Sequence, residues 1–173
     1  WDTIAASYTL AGERVLAELI KRRPFDEGTV THLGPKFLRQ HSRAAEAFAK
    51  LEASQKGHDL LVVQAQFGAH HRGESTNRAR YCLHGWEFGL GLFAVGVMLL
   101  THPERIGKSH DEMNLLCIGD EMKSWTDLKR GAVYTPELKL GFSSQPKMQV
   151  FPSALDFHAI WYGPVSAFVK PCS

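Results

Sequence analysis

Residues 60–68 read LLVVQAQFG, and the class of fold turns on that stretch. Leu60, Leu61, Val62 and Val63 form an unbroken apolar run, and the stretch continues to Phe67 and stops at Gly68. A run without polar alternation predicts a strand buried on both faces, as inside a parallel sheet. A second apolar run, Asn114 to Ile118, is ended by Gly119-Asp120-Glu121. Between the two, Ser75 is placed to cap a short helix that Gly85 closes. An apolar helix then runs from about Glu87 to Thr101, with Pro103 at its exit. Strand, helices, strand is the order of a βαβ unit, which predicts two parallel neighbours and a right-handed crossover through a buried helix.

Upstream, Ile4, Tyr8, Ala11, Val15 and Leu19 recur at helical spacing, with Glu13, Arg14 and Glu18 away from that stripe. This predicts a first helix over 3–22, capped by Asp2 or Thr3 and stopped by Pro24. Lys21, Arg22 and Arg23 suit the negative end of its dipole. A connection over 24–34 leads to a second helix from Pro35 to Gly57, whose apolar face carries Phe37, His41, Ala44, Phe48 and Leu51.

Downstream, Leu138, Leu140 and Phe142 alternate with polar residues or glycine, a turn is expected over 143–146, and Lys147 to Phe151 follows. Leu155 to Tyr162 reads as a further strand, broken at Gly163-Pro164 and resumed from Val165 to Val169. Phe157 and Trp161 are expected in its core, His158 and Tyr162 at its boundary. The fold class is therefore α/β, with α+β as the alternative. It has two N-terminal helices, one βαβ unit with a buried crossover helix, and an antiparallel, β-rich C-terminal third.

At 173 residues the chain suits one domain, 1–173. Apolar residues make up 44% and charged residues 22%, an ordinary globular balance that argues against disorder. Lys plus Arg number 20 and Asp plus Glu 18, a net charge of +2. Neither nucleic acid nor an anionic membrane would be drawn strongly to such a chain. Cys82, Cys117 and Cys172 are odd in number and far apart, which speaks for reduced thiols and a cytoplasmic protein. The opening residues read as a charged helix rather than a secretory leader. The longest apolar stretch, Phe88 to Leu100, is shorter than the roughly 18 residues of a bilayer span.

The predicted parallel pair places a candidate site. Ligands gather beyond the carboxyl ends of parallel strands. One loop would bring His70, His71, Arg72 and Glu74, and the other Asp120 and Glu121. Helix starts at Ser75 and Glu87 would face the same edge. His71, Asp120 and Glu121 are the candidate catalytic or metal-ligating groups. His70, Arg72, Glu74, Ser75 and Arg78 are the candidate ligand contacts. Imidazole and carboxylate can hold a divalent metal that activates water, or act together as acid and base. A guanidinium suits a phosphate or carboxylate.

Gly89-Leu-Gly91-Leu-Phe-Ala94 matches GxGxxA, but no buried strand precedes it and no acid follows at the required distance. A dinucleotide is therefore disfavoured, and close helix packing is the expected use of these glycines. HExxH, P-loop, GxSxG and CxxC motifs are absent. Cys117, inside an apolar run, reads as an inert core thiol. Three functions compete on these residues. The first is a hydrolase-type enzyme for a small anionic substrate. The second is a protein-interaction module, such as an inhibitor, an immunity protein or an assembly subunit, using the aromatic-rich last third. The third and least favoured is a nucleic-acid binder using Arg72, Arg78 and Arg80 with Lys21 to Arg23.

Overall fold

The computed structural model describes residues 4–22, 34–105, 114–123, 132–140 and 148–169. The caps proposed at Asp2 and Thr3, Arg23, most of the connection after it, Phe142, the turn over 143–146 and Cys172 lie outside them. The described elements are, in order, α1 (Ile4–Arg22), β1 (Leu38–Gln40), α2 (Ser42–Ser54), β2 (Gln64–Gln66), α3 (Thr76–Cys82), β3 (Glu87–Gly89) and α4 (Leu92–Thr101). A 3-10 turn follows at Pro103–Arg105, then β4 (Asn114–Leu116), β5 (Asp120–Lys123), β6 (Val133–Leu140), β7 (Met148–Ala154), β8 (Tyr162–Pro164) and β9 (Ser166–Phe168). Helix and sheet are mixed, with a strand-rich C-terminal third, as the α/β reading requires.

The strands form two sheets, and this overturns the predicted βαβ unit. β2 lies in a three-stranded antiparallel sheet of order β2-β9-β3, while β4 lies in a six-stranded sheet. In the larger sheet β6 is central. It pairs from Tyr134 to Leu140 with β7, and its other edge is shared by β5 and β4. β1 extends the sheet beyond β5, and β8 lies beside β4 in its parallel pairing. The run at 60–63 is not a buried strand. Leu60 and Val62 are each 80% exposed, and the Gln55 amide bonds the Val62 main chain through both N–H and C=O. An apolar run signals hydrophobicity but not which neighbour will cover it, and here only Val63 packs on the core.

Further differences are local. The second helix begins at Ser42, because residues 38–40 are taken by the β1–β5 ladder. His41 caps that helix, its Nδ1 accepting from the Arg43 N–H. Burial and the Arg80 guanidinium lower the pKa of His41, which keeps its ring neutral and able to accept. Ala44 and Leu51 are buried and Phe48 is half-buried, as the helical face predicts. Glu87 opens a strand, not the apolar helix, which starts at Leu92. Residues 155–161 form turn and coil, and Gly163-Pro164 belongs to β8. Phe157 and Trp161 are exposed, whereas Tyr162 is buried beside Ser153 and Glu137.

The segment between β4 and β5 shapes the centre of the molecule. Both strands run antiparallel to β6, yet residues 117–121 face only Thr135 and Pro136 between the two registers. The excess chain is gathered by Cys117 N–H donating to the Pro136 carbonyl and the Thr135 hydroxyl donating to the Cys117 carbonyl. A proline fits there because the irregular segment needs no N–H from it. The excursion turns Asp120 inward. One carboxylate oxygen accepts the Tyr8 hydroxyl of α1 and the other the Leu92 N–H at the start of α4, each at 2.7 Å. Gly91, the residue before α4, has no side chain to cap it, and Asp120 supplies that bond from across the fold. The main core, of buried residues from α1, α2, α4 and both sheets with Leu16, Leu19, Phe88, Met122 and Val165 among them, lies around this junction, and a smaller cluster of Ala79, Leu83, Leu116, Ile118 and Tyr162 is separate from it.

Candidate functional site

The loop 68–74 runs between two glycines with positive φ, Gly68 at +80° and Gly73 at +86°. Gly68 lies so tightly on the Gly163 backbone that a Cβ has no room. Gly73 N–H donates to the Tyr162 carbonyl at 2.7 Å. The loop is thereby pinned at both ends to the region of β8, and His70 and His71 sit between the pins. Their rings meet edge to face, with centroids 4.6 Å apart.

His71 reaches inward. Its Nε2 lies 2.8 Å from Oε1 of Glu87, and both side chains are buried. The small sheet explains why Glu87 is there. Gln66, Ser166 and Gly89 are aligned across β2, β9 and β3, and Glu87, two residues before Gly89, shares their face. The Ser166 hydroxyl donates to Glu87 Oε1 at 2.5 Å. The Gln66 amide donates to Ser166 Oγ at 2.8 Å, and its carbonyl accepts the His70 N–H at 3.2 Å. One chain of bonds therefore runs from the His70 backbone through Gln66 and Ser166 to Glu87 and His71. Burial opposes ionisation of Glu87, but the Ser166 hydroxyl and the His71 ring prevail and hold its carboxyl below the usual value. Its other oxygen, Oε2, is buried without a hydrogen-bond partner. One nitrogen of each histidine and one Glu87 oxygen lie within 4.8 Å of one another, and among the described residues this is the group that suits a metal ion. His70 is exposed and gives the cluster its solvent side.

The remaining predicted residues have other partners. Arg72, exposed, donates from Nε to the Ile160 carbonyl at 3.0 Å. Ser75 accepts the Arg78 N–H and caps α3, as predicted. Glu74 and Arg78 face each other at 3.9 Å on the surface. Arg80 donates to the carbonyls of Ile118 and Asp120. Asp120 is held by Tyr8 and Leu92, and Glu121 pairs with Arg39 at 2.6 Å. None of the described hydrogen bonds or ion pairs joins Asp120 or Glu121 to His70, His71 or Arg72. The convergence of the two loops lacks its basis, because the strands before them belong to different sheets.

Burial pushes the Asp120 carboxyl up to about 7, against the Leu92 N–H, the Tyr8 hydroxyl and Arg80. Burial and then Asp120 raise the Tyr8 hydroxyl well above its ordinary range, and burial raises the Cys117 thiol likewise. Cys117 is thus the inert core thiol that its apolar run predicts. The glycines of the GxGxxA stretch serve packing. A Cβ on Gly89 would strike Ile118 and Gly119, and one on Gly91 would strike Asp120 and Tyr8.

Glu87, Ser166 and Gln66 were not singled out by the sequence as parts of the site. Glu87 reads there as a helix start, and no spacing rule links it to a serine 79 positions away. No family model matches the chain, and no curated protein or solved structure matches it either. No helix among the described residues is long and apolar enough to cross a membrane.

Proposed function

We propose that the protein is a small hydrolase-type enzyme for an anionic ester, with phosphate esters as the substrate class and His70, His71 and Glu87 as the reacting centre. The observation that carries this reading is the buried 2.8 Å contact between an ionised Glu87, on β3, and His71, on a loop that also presents Arg72. A carboxylate that orients an imidazole is a common means of activating water. The exposed Arg72 guanidinium, held in place by the Ile160 carbonyl, supplies the anion contact. Asp120 and Glu121 have no part in this centre, since both serve the packing and pairing of β5. A cytoplasmic setting suits the reading, Cys117 being a free buried thiol.

The test is a panel of chromogenic phosphate mono- and diesters, assayed with and without added divalent ions. Wild-type turnover is expected, with kcat reduced about a hundredfold or more in His71→Ala and chiefly KM raised in Arg72→Ala. No turnover of any ester in either condition overturns the proposal.

A second reading, the interaction module, is favoured by one feature. Phe157, Ile160 and Trp161 are 55%, 76% and 45% exposed within one short segment. It predicts association in sedimentation velocity that Trp161→Ser abolishes. A chain that stays monomeric at every concentration counts against it.

A further inference from the structure

We infer that His70, His71 and Glu87 bind one divalent first-row transition-metal ion, zinc above all. The inference deepens the proposed function and rests on the same placing of the centre. It does not depend on which ester, if any, is cleaved.

Three observations carry it. The first is the donor set. Two imidazole nitrogens and one carboxylate oxygen are the ligands of a borderline-soft ion such as Zn²⁺, and three protein ligands leave a position for water. The donors lie within 4.8 Å of one another, against about 3.3 Å between ligands on a tetrahedral zinc. A modest rotation of the exposed His70 ring would bring its nitrogen in, and His71 Nε2 and Glu87 Oε1, 2.8 Å apart, would need only to open slightly.

The second is the unpartnered Oε2 of Glu87. The residue is 1% exposed, so water does not readily solvate that oxygen. A buried carboxylate oxygen lacking any donor is costly. A cation beside it removes the deficit. The His71–Glu87 contact already brings an imidazole nitrogen and a carboxylate oxygen face to face, and a metal ion between them would replace that bond.

The third is the supporting shell. Metal ligands are ordinarily held by a second layer of hydrogen bonds. Here Gln66 and Ser166 connect the backbone of one donor residue, His70, with the carboxylate of another, Glu87. The three donors come from a loop and a strand, yet one chain of bonds sets their relative position. An ion bound there would lower the pKa of its water and so provide the nucleophile that the hydrolase reading requires. Arg72, adjacent in sequence, would meet the anionic group of the substrate.

The experiment uses the full chain, stripped with a chelator and dialysed, then titrated with zinc chloride in a calorimeter. Melting temperature and the visible absorption of the cobalt(II) form are recorded in parallel. One equivalent of zinc is expected to bind and to raise Tm. His70→Ala, an exposed position, and Glu87→Gln are each expected to weaken binding by at least about tenfold, the least that losing even a supporting residue costs. The cobalt band should disappear with them. His58→Ala, at a surface histidine outside the cluster, should bind as wild type. Circular dichroism establishes that each variant is folded. Should Glu87→Gln fail to fold, His70→Ala decides alone. The inference is overturned by no stoichiometric binding to wild type, or by binding that His70→Ala leaves unchanged. One-to-one zinc binding without ester hydrolysis keeps the site and removes the enzyme. Ester hydrolysis unaffected by the chelator keeps the enzyme and removes the metal.

Discussion

At Gly119 the backbone lies so close to Gly89 and to the Leu90–Gly91 peptide that a methyl group has no place. The atoms in the way are all main chain of residues 89–91, which cannot rotate aside. Gly119→Ala should therefore cost about 3 kcal/mol or more in urea denaturation, the upper end of overpacking. Gly12, buried in the middle of α1, is different: a methyl group added there would meet nothing within 4 Å. Gly12→Ala should stabilise by up to about 1 kcal/mol, since alanine loses less backbone freedom in a helix. Equal effects at the two glycines would contradict the tight seam between residues 89–91 and 118–120. Asp120 makes a different demand. Its carboxyl keeps its proton up to about pH 7 in the folded chain, and only to about 4 when unfolded. Between those values the native state binds more protons, so this group lowers stability as pH rises from about 4 to about 7. The full effect is at most roughly 4 kcal/mol. Asp120→Asn should remove that slope from a series of melts across pH. Glu87 has the opposite sign: its depressed carboxyl contributes stability above the ordinary glutamate value and loses it as pH falls through the folded one.

Among the elements, α2 does more than cover the core. Its Arg43 donates to the carbonyls of Arg80, Leu83, His84 and Glu87, between 2.6 and 3.4 Å away. Those carbonyls lie at the end of α3 and along the approach to β3, where helix termination leaves acceptors without partners. The same helix sets Phe48 edge to face on Phe88, with centroids 5.2 Å apart. α2 thereby holds the strand that carries Glu87. A lysine has no planar fork and reaches fewer of these acceptors. Arg43→Lys should destabilise by about 2 kcal/mol, the scale of a charged hydrogen bond lost in a half-buried place. Chemical denaturation measures it, and a change below about 0.5 kcal/mol, typical of an ordinary surface position, would deny Arg43 this role.

Across the whole molecule, stability should follow the pairing of strands. β6 has partners on both edges, β7 on one and β4 with β5 on the other. The amides of Thr135, Glu137 and Leu138 can open only when much of the larger sheet opens. Residues 60–62 lie outside any ladder and are exposed. Hydrogen exchange should find the β6 amides protected by orders of magnitude more than those of 60–62. Comparable protection would mean that the apolar run is covered after all.

What was legible in the sequence was local. The span and polar face of α1, the Ser75 cap, the antiparallel pairing of β6 with β7, the buried Cys117 and the packing use of Gly89 and Gly91 each follow from neighbours a few residues apart. Backbone preference and hydrophobic period act at that range. His70, His71 and Arg72 were also found there, as a cluster of chemistry on a glycine-bounded loop. Their partner was not. Glu87 meets His71 because β3 and β2 pair with opposite edges of β9 in one register, and that register brings Ser166 and Gln66 to the same face. The apolar run at 60–63 failed as a guide for the same reason, since hydrophobicity does not name the neighbour that buries it. Asp120 carries a carboxylate fit for chemistry, and tertiary packing uses it to cap α4. Local forces shape each element of this chain, whereas the choice among possible strand pairings, a competition over long sequence separations, sets where its charged groups meet.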